Sequence, residues 1–568
     1  MHDLIHDLAQ WAAGEICCTM NIQKLSSSTR YWSFSKEILE DQTWTSKKLV
    51  QVRSFASFGA VDVSIPKLLD FIFQQFQYLR LLSMRKAGII ELPNSMGNLK
   101  HLRLLDLSEN TKLTRLPKST TKLCNLQTLV AKGCSNLRHI VPNVASLIEL
   151  RHLDFSGCYL LKEMPLGIGK LTKLQTLKGL FDIRRESGTR ISELKNLKCL
   201  RGSLDINGLA NVFSSEEAQA ARLHEKTGLD KLEMYWGAGN HDVDGNIKKD
   251  VLGRLQPPES IKELMLKGYN GLAFPAWLGN PSYTNMVVIK LEDCRRCEFL
   301  PALGQLPSLK EMTIAGMKAI ETIGLEFYGN DGCSNPFPAL KSLLFFDMKG
   351  WEEWLAPSVD SSNAFPCLEY MNIYKCQMLR GNLPSNLRSL KELSIVSCQE
   401  LRLSLPSCPL LQTLYIERCE APFSVADCLP PNLETLEIQD SKIEQPIQEW
   451  KLDLLTSLKS LVLRSIGSGA DAIEYIPQPD FHLPSSLSSL IIWEFKNLKS
   501  LSCSDLPNLT QIDIQDCEKL ESLGVGFPPP KLQKAYFMNC PLIYQRRKPD
   551  PNGLIVFDEM VEDRYSYM

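Results

Sequence analysis

Two groups of side chains in this sequence have the types and spacing that could do chemistry. His2 and His6 stand four residues apart, each followed by an aspartate, so a helix would put both imidazoles on one face. That is a metal-ligand spacing, but zinc sites want three or four ligands, and no third group stands nearby. Polar residues at the exposed end of a helix are the simpler account, and no metal is expected. Cys294-Arg295-Arg296-Cys297 is a C-x-x-C, which could be a redox or zinc pair. It lacks both a second pair and a thioredoxin-like setting, so packing is its simpler account. No G-x-S-x-G elbow, H-E-x-x-H or kinase signature occurs, and the eight histidines are scattered. No catalytic residues are assigned, and a non-enzyme is expected.

The elements that would position such residues follow from a repeat. Residues 102–110, LRLLDLSEN, read L-x-x-L-x-L-x-x-N, the consensus of a leucine-rich repeat. The first leucine recurs at Leu79, Leu102, Leu126, Leu150 and Leu174, in steps of 23, 24, 24 and 24 residues. It returns less regularly from Leu229 through Leu309, Leu411 and Leu458 to Leu532. One unit cannot bury its own leucines, so units must stack around a shared core. The expected fold class is an α/β repeat, a leucine-rich-repeat solenoid. It has a curved parallel β-sheet on the concave face, short helices, 3₁₀ turns and loops on the convex face, and a short N-terminal helical remnant.

Composition fits. The 568 residues are 44% hydrophobic and 23% charged, with a net charge of −2, so no basic field suggests nucleic acid. No apolar run approaches the roughly 18 residues of a membrane span, and no signal peptide is evident at Met1. An intracellular, cytoplasmic protein is expected, with nucleus or membrane association open. Cys134, Cys158, Cys294, Cys376, Cys398, Cys419, Cys517 and Cys540 each lie eight residues after a repeat's first leucine. Asn110 holds the same slot, where the chain leaves the strand. These cysteines are expected to be reduced core residues rather than a disulfide framework.

Residues 1–16, MHDLIHDLAQWAAGEI, carry Leu4, Leu8, Trp11 and Ala12 on one helical face. The opening MHDLIHDLA resembles the MHD motif of plant nucleotide-binding leucine-rich-repeat (NLR) immune receptors, the coiled-coil subclass in particular. LRGSLDINGLANV at 200–212, LDKLEMYW at 229–236, LPALGQLPSLKEM at 300–312 and Trp351-Glu352-Glu353-Trp354 are similar to the same family. The resemblance covers roughly residues 1–540. It implies that His2 and Asp3 would contact ADP, with the histidine near its β-phosphate, where the full nucleotide module is present. This sequence contains no G-x-x-x-x-G-K-[ST] phosphate loop, so no ADP or ATP is expected on this chain itself. The resemblance therefore implies a C-terminal NLR part: a truncated receptor, a decoy or an incomplete gene model.

The domain reading runs in order. The resemblance implies that residues 1–20 are the end of a winged helix and NB-ARC module, and 21–48 read as a connector. A regular block spans 49–179, with a degenerate strand near Val52–Ser57 and turns patterned LP…I/M-G-x-L, started by proline and broken by glycine. Residues 180–228 are an irregular insertion with a helix at 214–223 that Ser215 can cap, and 229–540 form an irregular repeat block. Stretches 238–258 and 326–337 read as loops, and 541–568 as a poorly ordered tail.

What remains is a surface. The alternating positions of L-x-x-L-x-L face the concave side and hold Tyr235, Phe346, Tyr370, Tyr374, Tyr415, Trp493 and Tyr536. First-half counterparts are smaller or charged: Ser83, Arg85, Asp106, Ser108, Lys132, Asp154 and Ser156. Tyrosine and tryptophan are frequent binding hot spots, although aromatics also simply suit strands. The resemblance implies a protein partner, either a pathogen effector or a guarded host protein, and restraint of a nucleotide-binding module. The alternative is a general intracellular repeat scaffold without an immune role.

Overall fold

The computed structural model describes residues 17–19, 28–35, 51–58 and 65–546. Within the last span it omits 141–142, 162–166, 180, 184–188, 238–243, 330–334, 356–363, 402–404, 421–428, 443–446, 467–469, 471–472, 479–480 and 525–526. The expected helix at 1–16, with its His2 and Asp3, lies outside the described residues. The chain divides into two compact units, Met1–Trp277 and Leu278–Met568.

In the first unit an all-parallel sheet runs in chain order through eight strands. They are Cys17–Thr19, Tyr31–Ser35, Ser54–Phe58, Leu81–Arg85, Leu104–Asp106, Thr128–Val130, His152–Asp154 and Thr176–Lys178. Four further parallel strands follow at Phe181–Asp182, Arg201–Asn207, Gly228–Tyr235 and Glu263–Lys267. The second unit has eleven in-order strands from Val288–Glu292 to Lys534–Met538. Strict alternation drives both units: Leu105, Leu129 and Leu153 are fully buried at equivalent positions, and their strand neighbours are half open. Each unit is a leucine-rich-repeat solenoid.

The Asn and Cys slot works as one device. Asn110 is fully buried and donates to the Met84 and Leu107 carbonyls at 2.8 and 2.7 Å. It accepts from the Ile89 N–H at 2.9 Å. Cys134 and Cys158 each donate one thiol bond to the preceding repeat, to the carbonyls of Leu107 and Ala131, both at 3.1 Å. Just before this slot the backbone turns left-handed, at Glu109, Gly133, Gly157, Asp293, Lys375, Ser397, Arg418, Asp516 and Asn539. Sequence reading missed this turn, because charged residues fill it more often than glycine does.

Several expected boundaries are corrected. The connector contains the Tyr31–Ser35 strand, paired with Cys17–Thr19 and Ser54–Phe58, so the ladder starts before residue 49. Its anchor is aromatic rather than leucine: Trp32 packs edge-on to Phe55 at 4.8 Å and to Phe76 at 5.7 Å. A helix at Ile65–Gln75, with Leu68, Leu69, Ile72 and Phe73 buried, was not anticipated. The 180–228 stretch keeps strands in the ladder, and its Ser215–Ala220 helix is capped by Ser214, not Ser215: the Ser214 hydroxyl accepts from the Glu217 N–H at 3.2 Å. The expected loop at 238–258 holds a helix, Gly245–Arg254, that buries Val251 and Leu252. The 326–337 stretch begins inside the 3₁₀ turn Leu325–Tyr328. The expected tail opens with a helix, Pro541–Arg546.

The glycines of the G-x-L turns do not break them. Gly97 and Gly169 sit buried within the 3₁₀ turns Asn94–Asn98 and Ile168–Lys170. A Cβ at Gly169 would stand 2.6 Å from the Glu193 carbonyl oxygen. These positions are glycine because adjacent repeats approach too closely for a side chain.

Candidate protein-interaction surface

In the second unit the strand pairing sorts the open-face side chains into three rows. The outer row passes from Ala315 through Phe346, Tyr374, Val396, Glu417, Gln439 and Arg464 to Trp493. The central row passes through Asn372, Ser394, Tyr415, Glu437, Val462, Ile491 and Asp513 to Tyr536. Tyr370 stands in the third row beside Glu392. Neighbouring strands lie about 4.8 Å apart, so the Phe346 to Tyr536 strands span roughly 40 Å.

The structure brings Phe346, Tyr370, Tyr374 and Tyr415 within four neighbouring strands, Tyr370 and Tyr374 sharing one and the Glu392–Val396 strand carrying no ring. Trp493 lies three strands beyond Tyr415, and Tyr536 two further. Phe346, Tyr370 and Tyr536 are about 40% exposed, which leaves their rings available for contact. Tyr235 belongs to the first unit, half-buried, with its hydroxyl donating to Glu233. Of the first-unit residues, Ser108 proves buried rather than open, and its backbone N–H and hydroxyl both donate to Asp106. Arg85 is held by Glu109.

Polar contacts fix the aromatic rings. The Tyr374 hydroxyl donates to Asn372 Oδ1 at 3.2 Å, and the Tyr415 hydroxyl to Glu417 Oε2 at 2.5 Å. The Lys375 ammonium sits 5.3 Å from the Phe346 ring centre, and the Arg464 guanidinium 4.5 Å from that of Trp493. Burial pushes the Tyr415 phenol up, and the carboxylate of Glu417 adds to it. Burial likewise raises the Glu437 carboxyl, with Glu417 adding to it and Gln439 opposing. Such ordered rings lose little freedom on binding, which favours them as contact residues.

Sequence reasoning passed over Asn372, Ser394, Glu417 and Glu437. Their signal was present as polar residues inside apolar strands, in Met371-Asn372-Ile373 and Leu436-Glu437-Ile438.

Burial disfavours thiolate chemistry at several of the cysteines. Cys294 and Cys297 are fully buried, and burial drives the Cys297 thiol well above its ordinary range. Burial also pushes Cys134 up to about 11 and Cys419 to about 12, so neither is a thiolate at neutral pH. Among the described residues no three of His, Cys, Asp and Glu gather as a metal site, and no helix is long and apolar enough to cross a membrane.

The R13L1/DRL21 leucine-rich-repeat family matches residues 191–317, and the Zer-1-like leucine-rich repeats match 94–164. An Arabidopsis thaliana protein named as disease-resistance RPP13-like protein 1 is 33% identical over 92% of this chain. The chain is a homologue of plant disease-resistance proteins. A second Arabidopsis thaliana protein named for disease resistance is 37% identical over 70% of the chain. Disease resistance protein RGA2 of Solanum bulbocastanum is 31% identical, also over 70%. The chain spans 49%, 29% and 38% of these three relatives, less than half of each. Among solved structures, a leucine-rich-repeat protein of Leptospira interrogans aligns with 79% of this chain and 87% of its own, at 17% identity and a TM-score of 0.38. The functional domain of InlJ from Listeria monocytogenes aligns with 69% of this chain and 74% of its own, at 15% identity and a TM-score of 0.45. The matched repeat families indicate an interaction domain.

Proposed function

We propose that this chain is the recognition surface of an intracellular plant immune receptor. It works by binding rather than by catalysis. Its open sheet face engages a protein partner, a pathogen effector or a guarded host protein, and the same domain restrains a nucleotide-binding module. Tyr370, Tyr374, Tyr415, Phe346, Trp493 and Tyr536 form the contact surface of the second unit, and Tyr235 is a contact residue of the first unit taken by itself. The observation that carries this reading is the gathering of Phe346, Tyr370, Tyr374 and Tyr415 within four neighbouring strands of one open face, with the hydroxyls of Tyr374 and Tyr415 each already held by a neighbour. Homology to disease-resistance proteins supports the immune setting. The resemblance of residues 1–9 assigns His2 and Asp3 to ADP where a complete nucleotide module accompanies them; no step of recognition runs through that nucleotide.

The test is leaf expression of the chain within a full receptor, challenged with a panel of effectors. A cell-death response to one effector, lost in the Tyr374→Ala, Tyr415→Ala double variant at equal protein level, is the expected result. A response that survives the double variant would remove these residues from recognition.

A further inference from the structure

Ser394 is the one open-face strand position here that is buried, at 4% exposure, between Asn372 and Tyr415 in the central row. Strand alternation sends Leu393 and Ile395 to the core and Ser394 to the open side. A small residue between two larger ones makes a pit. Its hydroxyl makes no hydrogen bond among the described residues and keeps contact with solvent, so it can serve an incoming group.

On the other flank of Tyr415 stands Glu437. Gln439 donates to one of its carboxylate oxygens, and the other has no partner among the described residues. Glu417, diagonal to it, adds a second negative charge. The nearby cations are committed elsewhere: Arg418 to Glu417 at 3.2 Å, Arg464 to the Trp493 ring, and Lys391 to Glu369 at 2.7 Å. Beyond Glu437 the row continues as Val462 and Ile491, an apolar shelf.

We propose that the Ser394–Tyr415–Glu437 row is a receptor for one arginine side chain of the partner protein. The guanidinium lies on the Tyr415 ring, donates to the free Glu437 oxygen and to the Ser394 hydroxyl, and rests its stem against Val462. A planar cation with several donors fits this set better than a lysine ammonium, which offers a point charge. It also relieves the repulsion between Glu417 and Glu437. The assignment rests on the open-face reading above and names the chemistry that face selects.

The probe is a library of random peptides displayed on phage and panned on the full chain. One position should be dominated by arginine, and a selected peptide should bind Glu437→Gln at least about 30-fold more weakly, the low end for truncating a buried charge pair. Replacing that arginine with citrulline should cause the same loss on the unaltered chain and no further loss on Glu437→Gln. Ser394→Val, which fills the pit, should weaken the peptide as well, while Glu149→Gln in the first unit should leave it unchanged. Selected peptides without arginine, or indifferent to Glu437→Gln, would overturn the proposal. If such peptides still lose affinity on Phe346→Ala or Trp493→Ala, the open face binds and only the arginine receptor fails. If no peptide responds to any open-face change, the recognition surface fails with it.

Discussion

Replacing Asn110 with alanine should cost far more than replacing the cysteine that holds the same slot one repeat later. Asn110→Ala removes the acceptor of the Ile89 N–H and the donor to the Met84 carbonyl, both orphaned groups being buried. The Leu107 carbonyl keeps a donor, because Cys134 Sγ also bonds to it at 3.1 Å. Two buried groups left unpaired cost about 1–2 kcal/mol each, so about 2–4 kcal/mol is expected. Cys134→Ala loses one weak thiol bond and little volume, about 1 kcal/mol, since Asn110 still serves Leu107. The double variant orphans Leu107 too, so its cost should exceed the sum of the singles by about 1 kcal/mol. Repeat arrays open segment by segment, so the assay is hydrogen exchange resolved over residues 81–131 as urea is raised. Equal costs for the two single variants, or strict additivity in the double, would refute the shared-carbonyl account.

Four further outcomes are expected. Leu105→Ala, at a fully buried ladder position, should destabilise by about 2–5 kcal/mol in urea unfolding. Gly253→Ala should stabilise its helix by about 0.5–1 kcal/mol, since nothing lies within 4 Å of the added Cβ. Gly304→Ala should do the opposite in the same melt, because its Cβ would stand 2.2 Å from the Tyr328 carbonyl oxygen. Lys226 is fully buried, donating to the Leu194 and Leu197 carbonyls at 2.7 and 3.3 Å, and burial pushes its ammonium from 10.5 down to about 8. Between those two values the unfolded chain holds a proton that the fold has shed, so stability rises with pH through that window. Lys226→Met should flatten that rise, and an unaltered slope would show that Lys226 does not set it.

Much of this was legible from spacing alone. The leucine frame gave the strands, because one fixed register repeats through both units, and it placed Asn110 and the cysteines in one buried slot. What spacing could not give was the ladder's start, where Trp32 and Phe55 do the work of leucines. Nor could it reveal the Gly245–Arg254 helix, whose few apolar residues, Val251 and Leu252, make a weak helical stripe. At the surface, the tyrosines stood out by type. The pit at Ser394 did not, because it depends on which residues flank it two strands apart, and that is known only once the register is. Glycine in the G-x-L turns read as a breaker when it marks a close approach, since its neighbour there belongs to the next repeat.

The measurement that bears most directly on the central claim is hydroxyl-radical footprinting of the chain with and without a bound protein partner. Tyr370, Tyr374, Tyr415 and Phe346 should be protected together on binding, while Tyr159 and Tyr78, exposed in the first unit, keep their reactivity. Protection of Tyr159 and Tyr78, with the open-face rings unchanged, would contradict the account.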